Sequence, residues 1–102
     1  MTKEILIVGG VHSLPNGGIL LGVNTMNEIL RFEWRECSFS DLAGQFAGKS
    51  ISIFGKEYEI HTKIVDVQIS ASIADFKNVF LKIEDIAMTS KIRELDEIEI
   101  EL

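Results

Sequence analysis

Residues 97–102 read Glu-Ile-Glu-Ile-Glu-Leu, a strict alternation of acidic and apolar side chains. Successive side chains of a β-strand point to opposite faces of the sheet, so this period of two predicts a strand with one buried and one solvent-facing side. Isoleucine favours that interpretation, because its β-branched side chain loses rotamer freedom in a helix and packs well on a pleated surface. The stretch therefore predicts a β-sheet protein.

The same alternation recurs in three earlier segments, residues 30–35, 65–73 and 79–84. In the first of them, a Leu-x-Phe-x-Trp pattern is interleaved with arginine and glutamate, which would place apolar and charged side chains on opposite faces. In the other two, valine, isoleucine, leucine and alanine alternate with mostly polar or charged residues. Each segment is predicted to be a half-buried strand.

Turn-forming residues separate further apolar segments and predict two β-hairpins. A Pro-Asn-Gly-Gly sequence at residues 15–18 lies between two such segments. Gly55 and Lys56 separate residues 51–54 from residues 57–60. A glycine at the first central position suits a two-residue type II′ turn, which we expect in the second hairpin.

Two short segments break the alternation and are predicted to be helical. In residues 40–48, Leu42 and Phe46 are four apart and would share one helix face. Ser38 or Ser40 would be the N-cap of this helix, because a serine hydroxyl can accept a hydrogen bond from the first free backbone N–H groups. In residues 88–95 the apolar Met88, Ile92 and Leu95 are spaced in the same helical way.

Strands and tight turns over most of the chain predict an all-β fold. We expect a small closed or nearly closed β-barrel of six to eight mostly antiparallel strands with one or two short helical turns, since closure removes exposed strand edges. With 102 residues, 46% of them hydrophobic and 25% charged, the chain has the size and composition of one globular domain, residues 1–102.

The net charge of −6 is concentrated near the C-terminus. Residues 84–102 hold seven acidic and two basic side chains, a net charge of −5, which leaves −1 for residues 1–83. The overall acidity argues against nucleic-acid binding, but the first 83 residues are nearly neutral and could present a basic face. The basic residues available to such a face are Arg31, Arg35, Lys49, Lys56, Lys63, Lys77 and Lys82.

Residues 43–50, Ala-Gly-Gln-Phe-Ala-Gly-Lys-Ser, fit a permissive version of the phosphate-binding loop of nucleotide-binding proteins. That chemistry needs a helix directly after the loop, because the N-terminal amides of the helix hold the phosphates. Here the apolar alternation of residues 51–54 follows and indicates a strand. We therefore interpret Gly48 as the residue that ends a helix and Lys49 as a surface residue at a strand start.

The sequence predicts no catalytic residue, no metal site and no cofactor. His12 is expected in a loop and His61 on the solvent side of a strand, with no metal-ligand spacing around either. Cys37 cannot form an intramolecular disulfide, and we expect a partly buried, inert thiol at a strand end. A single cysteine indicates a reducing compartment, and no apolar run is long enough for a signal peptide or a membrane span. We therefore expect a cytoplasmic protein that does not contact a membrane.

The alternating terminus has two interpretations that the sequence leaves open. Glu97, Glu99 and Glu101 would either protect the edge of a terminal strand from pairing by charge repulsion, or form a docking stripe for a basic partner. We take these three glutamates, with Arg31 and Arg35 from the interleaved segment 30–35, as the candidate partner-binding residues.

Three passages follow the order of motifs of a known barrel. Residues 7–23, Ile-Val-Gly-Gly-Val-His-Ser-Leu-Pro-Asn-Gly-Gly-Ile-Leu-Leu-Gly-Val, look like its opening strand, proline-glycine turn and second strand. Residues 48–55 are similar to its G-D-x-V-x-I strand, with Lys49 at the Asp position, and residues 77–86 and 92–98 to its closing N-V-G-x-x-L-x-G-I and I-x-R-G-x-V-L motifs. The chain thus resembles the β-barrel domain 2 of translational GTPases, the elongation factor Tu family.

This resemblance implies a free-standing barrel used as a binding module. In that family the domain supports a GTP-binding domain and helps to hold the aminoacyl end of transfer RNA, and these 102 residues contain no GTPase domain. The chain departs from the family in the longer segment 24–47. It also departs at Phe80 and Asp85, which replace glycines, and at Leu95 and Asp96, which stand where the family has Arg-Gly.

Together these features favour a non-enzymatic β-barrel that binds a protein partner or self-associates. An alternative is a barrel that binds single-stranded nucleic acid by stacking bases on surface phenylalanine and tryptophan side chains. A third class, a small enzyme or ligand-binding barrel, would be indicated by a cavity that brings carboxylates together with His61 or Cys37.

Overall fold

A computed structural model describes residues 3–15, 17–71, 77–84 and 91–101 of the chain. Its strands are β1 (Lys3–Ser13), β2 (Ile19–Thr25), β3 (Ser50–Phe54), β4 (Glu59–Ala71), β5 (Lys77–Ile83) and β6 (Glu97–Glu101). Two helices, α1 (Glu28–Glu36) and α2 (Phe39–Phe46), connect β2 to β3.

The six strands form a closed antiparallel barrel in the order β1-β2-β5-β4-β3-β6. β6 closes it, because it pairs with β1 on one side and with β3 on the other. The all-β barrel predicted from the alternation is confirmed. β6 has no free edge, however, so the interpretation of Glu97, Glu99 and Glu101 as protection of a strand edge is wrong.

The inward side chains of all six strands and the buried side chains of both helices form one apolar cluster. Ile98 and Ile100 of β6 are buried in it, as the alternation of residues 97–102 predicts, and so are Val79, Leu81 and Ile83 of β5. Fully burying an aliphatic side chain of this size contributes about 1.5–3 kcal/mol. Burial of these side chains therefore makes a large contribution to the stability of the barrel.

A β-bulge in β4 changes which residues face the core. The pairing with β5 shifts between Ile64 and Asp66, and Val65 between them is 54% exposed. Before the bulge Ile64 points inward, and after it Val67 packs against the core. The predicted apolar face of residues 65–73 is therefore wrong at Val65, because the extra residue of the bulge shifts the alternation by one position. Residues 72 and 73 of this predicted segment lie outside the described residues.

Residues 30–35 are helical, and the predicted strand is wrong. The Asn27 side chain caps α1 by accepting hydrogen bonds from the backbone N–H groups of Ile29 and Leu30, at 3.0 and 3.2 Å. Leu30 and Trp34 are four residues apart, so they lie on one face of the helix, and both are buried. Phe32, between them in the alternation, points away and is 60% exposed.

The helix predicted over residues 40–48 is confirmed as α2, and Ser38 is its N-cap. The Ser38 hydroxyl accepts a hydrogen bond from the Asp41 backbone N–H at 3.2 Å. Phe46 is buried with its ring 5.4 Å from that of Trp34 in an edge-to-face contact, which joins the two helices in the core. Gly48 follows the helix with a φ of +75°, the left-handed conformation expected at a helix end.

Both predicted hairpins are present, but the second has a longer loop than expected. In the first, Gly17 and Gly18 have positive φ values and Ser13 pairs with Ile19. In the second, Phe54 pairs with Glu59, which leaves residues 55–58 as a four-residue loop. The predicted two-residue type II′ turn is therefore wrong.

Besides a β-bulge in β1, two smaller predictions can be compared with the structure. Gly9 lies at a shift in the β1–β2 register, a β-bulge that breaks the alternation of β1. His12 is part of β1, so its expected loop position is wrong. Residues 88–90 of the helix predicted over residues 88–95 lie outside the described residues. Of its remaining apolar residues, Ile92 is buried, whereas Leu95 is exposed in a turn with a φ of +74°.

Candidate functional site

A groove with a volume of about 770 Å³ lies over the outward face of β3. The alternation of β3 sends Ile51 and Ile53 into the core and leaves two short serine side chains outside, which form a low floor. Longer side chains from β4 on one side and from β6 and β1 on the other form the walls. The outward residues of the groove used below are Ser50, Ser52, His61, Lys63, Glu99 and Lys3.

Three polar side chains form a hydrogen-bonded chain at this groove. Ser52 of β3 and His61 of β4 are directly opposite in the strand pair, and the Ser52 Oγ lies 2.9 Å from the His61 Nδ1. The His61 Nε2 lies 2.5 Å from a carboxylate oxygen of Glu59, two residues earlier on the same outward face of β4. The His61 and Glu59 side chains are 66% and 51% exposed, so the chain is open to solvent.

The glutamate determines which nitrogen of His61 carries the proton. An ionised carboxylate can only accept hydrogen bonds, so the His61 Nε2 must donate to Glu59. In the neutral imidazole the other nitrogen, Nδ1, then has a free lone pair and accepts from the Ser52 hydroxyl. A serine hydroxyl is thus held against a basic nitrogen whose orientation a carboxylate fixes.

Three lysines bring positive charge to the same groove. Lys3 forms an ion pair with Glu99 at 2.9 Å, and this hydrogen bond together with the charge of Glu99 raises the pKa of the lysine. The Lys49 ammonium donates to the backbone carbonyl of Glu101 at 2.7 Å. Lys63 lies opposite Ser50 in the strand pair, and its ammonium has no ion-pair or hydrogen-bond partner among the described residues.

The five predicted partner-binding residues lie in two separate places. Glu97, Glu99 and Glu101 lie on β6, where Glu99 is already paired with Lys3. Arg31 and Arg35 lie on α1, which packs against β2. The structure therefore does not combine them into one surface.

An exposed apolar face occurs on α1, opposite its buried side. Ile29 and Phe32 are three residues apart on the helix and are 73% and 60% exposed, and Met26 just before the helix is 74% exposed. Glu28, Glu33 and Glu36 are also exposed. We call Met26, Ile29 and Phe32 the apolar face of α1 and these three glutamates its acidic rim.

The seven basic residues proposed for nucleic-acid binding are distributed over several elements. Lys49 and Lys63 line the groove, Lys56 lies in the β3–β4 loop and Lys82 lies on β5. Trp34 is buried, so it offers no surface for stacking a base. A further set combines basic and aromatic groups: Lys77 lies 5.7 Å from the ring centre of the partly exposed Phe39 and donates to the Arg35 carbonyl.

Cys37 is the C-cap of α1, so its predicted position at a strand end is wrong. Its sulfur is partly buried and accepts a long hydrogen bond from the Gln45 side chain. Across the described ranges, no group of three or more His, Cys, Asp or Glu side chains is arranged to hold a metal ion. No helix in those ranges is long and apolar enough to cross a membrane.

The sequence interpretation missed the Ser52–His61–Glu59 chain and the exposed face of α1. Glu59 and His61 are two residues apart on a predicted strand, which was a visible signal for a shared face. Their contact with Ser52 depends on the register between β3 and β4, and the expected two-residue turn gives the wrong register.

No protein-family model, curated protein or solved structure matches this chain. The resemblance to the barrel of translational GTPases therefore stays a prediction.

Proposed function

We propose that the protein is an interaction module that binds a basic, amphipathic segment of a partner protein on the apolar face of α1. The observation that carries this proposal is the exposure of three large apolar side chains close together in the sequence, Met26, Ile29 and Phe32, each at least 60% exposed. Isolated exposed apolar residues are common on soluble proteins, but grouped ones mark interaction sites. We place this function in the cytoplasm, because the single Cys37 indicates a reducing compartment.

The acidic rim decides which partner fits this face. Glu33 lies four residues after Ile29, and Glu36 four residues after Phe32, so each carboxylate is a helix neighbour of an apolar residue. Glu28 has the same relation to Phe32 from the other side. Arg35 is a helix neighbour of Phe32 as well, but the three glutamates leave the surroundings of the face with a net negative charge. A segment with apolar side chains flanked by lysine or arginine complements both the face and its rim. A second copy of this chain would bring two acidic rims together, which opposes self-association.

The test measures the binding of two synthetic helical peptides of equal length, one of leucine and lysine and one of leucine and glutamate. We expect the leucine-lysine peptide to bind. The double variant Ile29→Ser/Phe32→Ser should weaken binding about tenfold or more, because truncating central apolar anchors costs more than about 1 kcal/mol each. The control Val65→Ser removes an exposed apolar side chain from β4 and should leave the affinity unchanged.

Three outcomes would contradict the proposal. Loss of binding in a Glu97→Gln/Glu99→Gln/Glu101→Gln variant, with the α1 double variant unaffected, would move the docking site to β6. A concentration-dependent mass of the protein alone, abolished by the α1 substitutions, would assign the face to a second copy. Salt-sensitive binding of short single-stranded RNA without peptide binding would favour the nucleic-acid alternative, which the Lys77–Phe39 contact supports.

A further inference from the structure

We propose that Ser52, His61 and Glu59 form a nucleophilic site that accepts the acyl group of small carboxylic esters on the Ser52 hydroxyl. This goes beyond partner binding, uses a different surface and does not depend on the function proposed for α1. The proposal departs from the expectation, made from the sequence, that the chain has no catalytic residue.

The geometry meets the requirements of an activated serine. A serine hydroxyl is a weak nucleophile unless a base within hydrogen-bond distance removes its proton as it attacks. The His61 Nδ1 is 2.9 Å from the Ser52 Oγ, and Glu59 holds the opposite nitrogen. Serine, histidine and carboxylate roles are recognised by this geometry on unrelated folds. In this chain Nδ1 faces the serine and Nε2 faces the carboxylate, the reverse of the arrangement in the serine proteases. One nitrogen still acts as the base and the other still donates to the carboxylate.

The reaction needs only these three side chains, the ester and water. The Ser52 Oγ attacks the ester carbonyl carbon, and its proton passes to the His61 Nδ1 as the C–O bond forms. The tetrahedral oxyanion then expels the alkoxide or phenolate, which takes that proton from His61 as it leaves. Water hydrolyses the resulting acyl-serine by the same route, with His61 as base and then as acid, and regenerates the Ser52 hydroxyl.

The groove supplies a cation and limits the substrate class. Lys63 is the next outward residue on β4 after His61, and its unpaired ammonium can stabilise the oxyanion that forms beside the serines. The groove is open to solvent and has no enclosed apolar pocket to hold a long chain. We therefore assign it small aryl or short alkyl esters.

The first experiment treats the protein with p-nitrophenyl acetate and locates the acetyl group by peptide mass spectrometry. We expect release of p-nitrophenolate and acetylation at Ser52. Ser52→Ala should abolish both, and His61→Gln should slow the release on the order of 100-fold, the usual contribution of a general base. Acetyl groups found on lysines alone, or release unchanged in Ser52→Ala, would overturn the proposal.

Glu59 is a positioning residue, and its test is rescue of the rate by a variant that keeps the carboxylate. His61 is faced by Glu59 and Lys63 on its own strand, and by Ser52 and Glu99 across β3, where Lys3 offsets the charge of Glu99. Glu59→Gln should slow the acylation of Ser52, because the carboxylate that fixes the orientation and tautomer of His61 is lost. Glu59→Asp, which keeps the carboxylate, should restore part of the rate, and an acylation rate unchanged in Glu59→Gln would contradict this role.

A matched control separates this reaction from general surface reactivity. Ser70 is an exposed serine on the same strand as His61, paired with Asn78 of β5 and away from the groove. Ser70→Ala should react like the wild type. An equal loss in Ser52→Ala and Ser70→Ala would count against a specific site.

Discussion

Tyr58 shows how a single side chain fixes a loop of this barrel. It lies in the β3–β4 loop, where its carbonyl accepts a hydrogen bond from the Gly55 backbone at 2.9 Å and its hydroxyl donates to the Asp96 carboxylate. The same carboxylate accepts a hydrogen bond from the Arg93 backbone at 2.8 Å. A Cβ at Gly55 would overlap the Tyr58 ring, so glycine is required there for packing rather than for a positive φ.

The titration of Tyr58 is predicted to be shifted in the folded protein. Burial, and then the hydrogen bond and charge of Asp96, raise the pKa of Tyr58 from 10.0 to about 12. The chain has one tyrosine, so the ultraviolet absorbance of tyrosinate reports this residue alone. We expect a midpoint near 12 in the folded protein and near 10 in concentrated urea. A folded-state midpoint near 10 would show that the contact with Asp96 is not formed.

The same shift predicts the direction of a pH effect on stability. The unfolded chain releases the Tyr58 proton near pH 10, whereas the folded protein holds it to about pH 12. The stability that this group contributes is therefore complete below pH 10 and is lost as the pH rises to 12. Tyr58→Phe, which has no titrating hydroxyl, is the control and should lose less stability over this interval.

At the scale of elements, α1 is the segment whose local pattern permits two structures. Leu30, Phe32 and Trp34 alternate as in a strand, yet Leu30 and Trp34 are also four apart as on a helix. The Asn27 cap and the contact of Trp34 with Phe46 of α2 favour the helix. An isolated nine-residue helix is marginal in water, so its packing on the core decides the outcome.

Alanine substitutions in α1 distinguish the helix from a strand. In a strand Leu30 and Phe32 would share the buried face, whereas in the helix only Leu30 is buried. We expect Leu30→Ala to lower the free energy of unfolding by about 2–4 kcal/mol and Phe32→Ala by less than about 0.5 kcal/mol, measured by urea denaturation. Comparable losses in both variants would support the strand.

At the scale of the whole molecule, β6 makes the barrel one cooperative unit. It lies near the C-terminus but pairs with the first strand and with β3, so contacts distant in sequence close the sheet. The buried side chains of α1 and α2 belong to the same core as those of the strands. Loss of β6 packing should therefore affect the helices as well.

A substitution in β6 tests this coupling. Ile98→Ala removes a fully buried side chain and should cost about 2–5 kcal/mol, with the single Trp34 of α1 and the far-ultraviolet circular dichroism reporting one coincident transition. Ile5→Ala on the outward face of β1, which is partly exposed, is the control and should cost clearly less. Separate transitions for Trp34 fluorescence and circular dichroism would contradict a single cooperative barrel.

The sequence by itself determined most of the strands, both hairpin positions, helix α2 and the barrel class, because these follow from the period of side-chain burial and from turn and cap residues. Only the tertiary structure decided the helical state of α1 and the register between β3 and β4. A two-residue turn would pair Phe54 with Glu57 and place His61 opposite Ser50. The actual loop includes Tyr58, held by Asp96 from a distant segment, and pairs Ser52 with His61. A period-two pattern specifies which face of the sheet a residue occupies, but the register between two strands depends on the length of the loop that joins them. In this barrel the loop is held by the contact of Tyr58 with Asp96, which is distant in sequence.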